Sequence, residues 1–375
     1  MMRIYKVISI LLLSVVLTAG CRRADILEEG DAHLDVFLDI PQPVLTKADV
    51  GSVAAETESE YAIHSLQMWV FLSGPCGNYP AGYLVGYLKP SPLYFGAASD
   101  NSYSIPMDAS IAKAHPNVDV FVIANAESAG YPSLDASTTR SQLESLLMEG
   151  NVFGIAGGTA VCNAVPDDGL PFTGVGKNLT MKGSYPVLKV DVVRLARAVS
   201  KLRFVFSQLS DEEGAMNQCV VTSVRINGES IGSGEYLFND SAAPWKIVPN
   251  RYESSAMTFA IPAGFEPALN TNPEEYAYKG QTAQEYENLV AAGIDGGALS
   301  TPGCYYLREI DKKLSGTIYY TFNGWPGRSD FEMHDEGDFA RNHYWIVYLY
   351  FVRDAIQFTV TWTPWDEGHD FVLTD

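Results

Sequence analysis

The chain has 375 residues, of which 47% are hydrophobic and 19% charged, and its formal net charge is −20. Twenty-five basic residues against 45 acidic ones exclude nucleic acid as a primary partner, because phosphate recognition needs a basic patch. The apolar fraction excludes a disordered chain, and the length fits two domains of roughly 100–200 residues; abundant Gly, Pro and Tyr (32, 20 and 21) favour a turn-rich β protein.

Arg3 and Lys6 precede an apolar stretch over 7–17 that is too short for a membrane span of ~20 residues. Residues 1–20 therefore read as a secretory signal peptide. The ending Leu17-Thr18-Ala19-Gly20-Cys21 resembles the lipobox of bacterial lipoproteins. That resemblance implies cleavage before Cys21, a lipid on its thiol, and attachment to a membrane through the lipid. Elsewhere the longest apolar run, 344–352, is about half of what a spanning helix needs.

After a polar stretch over 22–32, Leu34, Val36, Leu38 and Ile40 alternate with His33, Asp35, Phe37 and Asp39. Period-2 alternation predicts a strand with one apolar face, ended by Pro41 and Pro43. Residues 44–60 are small and polar, with Lys47 and Ala48 among them, and read as an exposed linker. Such a strand has to pair with something distant, in this chain or another.

Further strands are predicted over 64–72, 83–88, 94–96, 102–106 and 118–124. Ser141 and Glu144 have capping-box spacing ahead of Leu146 and Leu147, with Gly150 as terminator, and predict a helix. The β pattern restarts at Val187 and continues over 194–206 and 219–226, where Asn227-Gly228 is a hairpin signal. A strand over 257–261 follows. A second helix is predicted from Thr282 and Glu285 to Gly293, then strands over 304–308, 316–322, 344–352 and 356–362. Turn signals at about 8–12-residue spacing predict a mainly β protein with one sandwich over 48–185 and a second over 186–375.

Four cysteines remain besides Cys21. Cys76, Cys162, Cys219 and Cys304 lack zinc-ligand spacing. They are either buried thiols or disulfides; two per half favours Cys76 with Cys162 and Cys219 with Cys304, and three connectivities stay open.

Catalytic patterns are sparse, and the expectation is a protein that is not an enzyme. Gly228-Glu229-Ser230-Ile231-Gly232 matches a hydrolase motif, but that motif needs a strand-to-helix elbow and here follows a predicted strand at a turn. The acidic loops 334–338 and 366–370 lack EF-hand spacing, and no metal or cofactor is expected. Tyr79, Tyr83, Trp325 and Trp365 are the aromatics that a sugar site would use.

Taken together, several segments resemble the fimbrillin family of Bacteroidales surface pili. They are the lipobox, the early strand followed by Thr46-Lys47-Ala48, residues 65–71, and 120–126 ending Ala-Asn-Ala. In the second half they are 192–202, Tyr305-Tyr306-Leu307-Arg308-Glu309, Arg341-Asn342-His343-Tyr344-Trp345, and 358–365. No single motif is diagnostic; their order carries the likeness.

The resemblance implies two tandem transthyretin-like β-sandwich domains, preceded by a tether and first strand over 21–47. It implies an outer-membrane lipoprotein at the cell surface that assembles with other fimbrial subunits. A trypsin-like protease would cut between Lys47 and Ala48, the strand bearing Leu34, Val36, Leu38 and Ile40 would leave, and a neighbour's strand would fill the gap. Donor candidates are Ile356, Phe358, Val360 and Trp362 on one face of a C-terminal strand, or the last residues 370–375. The alternatives are a non-polymerising fimbrial anchor, a lipid-anchored binder of carbohydrate or host matrix, and a hydrolase using Ser230.

Overall fold

The computed structural model describes residues 32–41, 59–93, 101–148, 155–156, 159–209, 218–228, 236–238, 256–276, 283–309, 313–332, 341–352 and 355–364. These form a mainly β protein built from four sheets.

Two sheets belong to the first sandwich. One contains β1 (Ala32–Asp39), β4 (Ser102–Met107), β9 (Lys182–Ser184), β10 (Val187–Lys189) and β11 (Val193–Arg194). The other has the order β12-β8-β5-β2-β3, with β2 (Leu66–Leu72), β3 (Leu84–Leu88), β5 (Asn117–Ala124), β8 (Phe172–Thr180) and β12 (Ala196–Arg197). The interior strands β2 and β5 are nearly continuous apolar runs, buried on both faces.

The second sandwich has its own pair. Its first sheet, ordered β16-β13-β20-β21 with β17 beside β13, contains β13 (Ser200–Leu209), β16 (Ala268–Asn270), β17 (Cys304–Leu307), β20 (His343–Val352) and β21 (Ala355–Pro364). The facing sheet runs β19-β18-β14-β15-β7-β6, with β6 (Ile155–Ala156), β7 (Thr159–Ala160), β14 (Cys219–Ile226), β15 (Met257–Phe259), β18 (Ser315–Phe322) and β19 (Trp325–Glu332). Leu202, Phe204 and Phe206 from one face of β13 pack with Val221, Val224, Ile318 and Phe331 in this second core. The other side of that sheet, including Val205, Ile346 and Tyr348, joins the first core.

The boundary between halves differs from the sequence expectation. Strands at 187–197 complete the first sandwich, so the chain changes sandwich after Arg197 and not at 185/186. Segment 155–160, expected in the first half, pairs through β7 with β15 and so belongs to the second. The run at 194–206 is not one strand. It is β11, β12 and β13, because the chain steps between sheets at Leu195 and over 198–199.

Three α-helices of six residues or more lie among the described residues. α1 (Ala109–Ala114) was not expected; Asp108 caps it by accepting from the Ser110 and Ile111 amides. α2 (Arg140–Ser145) starts two residues earlier than its expected box, because Thr139 and Gln142 form the capping box instead of Ser141 and Glu144. α3 (Ala283–Asp295) continues through Gly293, which does not terminate it. A side chain at Gly293 would strike the Tyr276 ring, so the glycine lets the helix pack closely against that residue.

Two turns with the same dipeptide differ. Asn227-Gly228 does not close a hairpin: Ile226 pairs with Met257 of β15, and the Asn227 amide bonds the Ser315 carbonyl at 3.0 Å. Asn323-Gly324 does close one, between β18 and β19, with φ of 51° and 80° at the two turn residues.

Candidate functional site

The first strand occupies a slot in the middle of its sheet. Residues 32–37 pair antiparallel with β4 across six consecutive positions, Ala32 opposite Met107 through Phe37 opposite Ser102. The other edge of β1 is split. His33–Asp35 pair in parallel with Val187–Lys189 of β10, and Leu38–Asp39 pair in parallel with Val193–Arg194 of β11.

Alternation in sequence becomes alternation in space. Leu34, Val36, Leu38 and Ile40 are 1%, 0%, 4% and 6% exposed and lie in the first core. Ala32 is fully buried as well. Each aliphatic side chain contributes about 1.5–3 kcal/mol by leaving water. The backbone adds further hydrogen bonds: the His33 amide donates to Pro186 O at 2.8 Å, and the Leu38 amide to Asn101 O at 2.9 Å. Asp39 O accepts from the Leu195 amide at 2.9 Å, and Asp35 O accepts from the Val190 amide at 3.2 Å. With β1 absent, these donors and acceptors and an apolar groove would all lack partners.

One ion pair closes the C-terminal end of the slot. Arg194 Nε lies 2.9 Å from Asp39 Oδ2; the Asp39 side chain is 9% exposed and that of Arg194 53%. Sequence reading missed this pair, because the two residues are far apart along the chain and only the register of β1 on β11 joins them.

The described residues resume at Ser59, and the first of them are clamped. Glu60 was expected in the linker, yet it is 1% exposed. Its Oε1 accepts from Lys201 Nζ at 2.8 Å and from Tyr306 Oη at 2.6 Å. Its carbonyl accepts from Arg197 Nε at 3.3 Å, and the Arg197 guanidinium lies 4.0 Å from the Tyr61 ring centroid. Burial opposes the charge on Lys201, but Cys304, Glu60 and Tyr344 outweigh it and hold the ammonium well above the ordinary lysine range. Next along, Asn125 in a left-handed conformation (φ 55°) donates to Ala62 O at 2.9 Å and accepts from the His64 amide at 2.8 Å.

The segments that carried the sequence resemblance meet at this junction. Lys201, Tyr306 and Asn125 come from three of them. Fully buried Arg341, from a fourth, pairs with Glu309 of the segment that holds Tyr306, and it donates to Leu237 O at 2.9 Å and Tyr236 O at 2.6 Å. The Glu60 and Arg341 contacts among these tie the two sandwiches together.

Other expected site residues are dispersed or lie outside the described residues. Cys21, Lys47, Ala48, Ser230, Trp365 and both acidic loops fall outside them. The backbone of 355–364 is β21, paired antiparallel with β20 from Ala355 opposite Val352 to Pro364 opposite His343. A donor strand at Ile356, Phe358, Val360 and Trp362 is therefore already engaged in its own sheet, at its edge. The four cysteines among the described residues form no disulfide. Cys76 and Cys304 pack with the first core and Cys162 and Cys219 with the second, so each pairing expected within a half would join two different cores. Burial pushes the Cys219 thiol up to about 12, which keeps it protonated and inert. Tyr79 and Tyr83 contact each other at 4.6 Å in the first sandwich, while Trp325, 78% exposed, sits on the second. They do not line one site.

Among the described residues, no group of three or more His, Cys, Asp or Glu is placed to hold a metal, and no helix is long and apolar enough to cross a membrane.

Solved structures provide counterparts for this arrangement. A candidate cell adhesion protein from Parabacteroides distasonis is 15% identical, with a TM-score of 0.52 over 90% of this chain and 97% of that one. A second, from Bacteroides eggerthii, is 12% identical, with a TM-score of 0.50 over 90% and 96%. The chain shares their fold. A C-terminally truncated tip fimbrial protein, Mfa3 from Porphyromonas gingivalis, is 15% identical, with a TM-score of 0.48 over 89% of this chain and 100% of that one. No family model matches the sequence, and no curated protein matches it.

Proposed function

We propose that the chain is a structural subunit of a cell-surface fimbrium, of the fimbrillin type, that supports adhesion and has no catalytic role. The observation that carries this reading is the placement of β1. A buried, doubly flanked central strand is joined to the rest of its domain only through the stretch between Pro41 and Ser59. Lys47 is the only Lys or Arg in residues 42–58. A trypsin-like cut there turns β1 into a separate peptide, while Glu60 and Asn125 hold the new N-terminal segment in place. A strand from a neighbouring subunit then takes the vacated slot by main-chain pairing and side-chain burial. Because β21 is already paired, the donor is sought beyond Pro364, in residues 365–375. Export follows the lipoprotein route through Cys21, which places the protein at the outer membrane before assembly. The fold shared with cell adhesion proteins supports this reading.

Lys47→Ala tests it. The variant is expected to be folded, exported and monomeric, whereas the unaltered chain gives a ladder of polymers on gels after trypsin treatment. Polymers from Lys47→Ala protein that still retains residues 32–40 would exclude cleavage as the trigger.

A further inference from the structure

The slot has a chemical preference at one end. Toward the core β1 offers only backbone and aliphatic groups, which many alternating strands supply. At its C-terminal end the requirement is narrower. The Asp39 carboxylate is almost fully buried, and among the described residues it pairs with Arg194, at 2.9 Å. Arg194 has a backbone contact that does not involve β1. It lies on β11, whose backbone packs closely on β8: a side chain at Gly174 would come within 2.6 Å of Arg194 O and 2.8 Å of Leu195 Cδ2. The Leu195 amide next to it bonds Asp39 O at 2.9 Å, which sets the register in which the two side chains meet.

We propose that Arg194 is the specificity-determining residue of the slot, and that it selects an occupying strand with a carboxylate where Asp39 stands. The inference rests on the slot being exchangeable. The matching occupant has aliphatic residues at the positions of Leu34, Val36 and Leu38 and an acid directly after the last of them. A neutral amide at that place loses a charge-assisted bond. A lysine there is held in a nearly buried site against a like charge. The protein as a whole carries a charge of −20, so overall electrostatics disfavour an acidic strand, and any preference for the acid is local.

The test uses the full chain cut after Lys47 and fluorescent synthetic peptides spanning residues 32–41. One peptide has the natural sequence, one Asp39→Asn and one Asp39→Lys. On unaltered protein the Asn peptide is expected to occupy the slot about fivefold to tenfold less tightly than the natural one, and the Lys peptide on the order of fiftyfold less. Arg194→Gln should flatten this ranking, and Arg194→Glu should favour the Lys peptide. Equal occupancy by all three peptides on unaltered protein would overturn the role of Arg194 while leaving the exchangeable slot intact. Failure of every peptide to enter would overturn both.

Discussion

Both sandwiches are organised around a central strand, β1 in the first and β13 in the second. The two are alike in packing. Each has a continuous neighbour on one side, β4 for β1 and β20 for β13, and a split neighbour on the other, β10 with β11 or β17 with β16. Each is almost wholly buried along its apolar face. They differ in connection. β13 is continuous with β12 at one end and lies in the interior of the chain, so it cannot leave without unfolding its sheet. β1 is tied to the rest of its domain by one stretch, where the proposed cut falls. On that proposal, replaceability comes from connectivity, not from weaker packing.

The largest effect is expected at the junction that joins the sandwiches. Glu60→Gln leaves the Lys201 ammonium buried without its acid, at a cost of about 3–5 kcal/mol. Chemical denaturation should then separate into two transitions, one per sandwich, where the unaltered chain unfolds with them coupled. A single, unshifted transition would show that Glu60 does not link them.

Equivalent core truncations sharpen the contrast between the strands. Leu38→Ala and Leu202→Ala each remove a buried aliphatic side chain and should each cost about 2–5 kcal/mol in the intact chain. After a cut following Lys47 they should diverge. The Leu38→Ala protein should lose its first strand on gel filtration faster than the unaltered chain, whereas Leu202→Ala should leave retention of that strand unchanged. Parallel behaviour after the cut would mean that β1 is as fixed as β13.

The smallest effect concerns the first sandwich alone. In the Glu60→Gln background, where the transitions separate, Thr139→Ala removes the capping box of α2 and should lower the stability of the first sandwich by about 1 kcal/mol, without altering the transition of the second.

Legibility in the sequence followed how local each signal was. β1 was readable because Leu34, Val36, Leu38 and Ile40 alternate without interruption, and one strand needs no knowledge of its partners. β14 was readable as a run ending in the turn signal Asn227-Gly228, and its bounds match. Asn227-Gly228 and Asn323-Gly324 show the limit. Both dipeptides permit a tight turn, but only at the second are the flanking residues, Phe322 and Trp325, opposite one another in a ladder; at the first, β15 and β18 flank β14. Polar burial was the least visible. Glu60 sits among small polar residues and looks like linker, and only Lys201 and Tyr306, far along the chain, make it a core residue. Arg194 and Asp39 were hidden likewise, since register on a parallel strand has no local sequence signature.

The measurement closest to the central claim is N-terminal sequencing of the protein in fibres sheared from the cell surface. If β1 is the exchangeable strand, the fibre subunit begins at Ala48 and its slot holds a strand from another subunit. Fibre subunits that still carry residues 32–40 would contradict the account, because the slot would then be filled by its own strand and assembly would proceed through another surface.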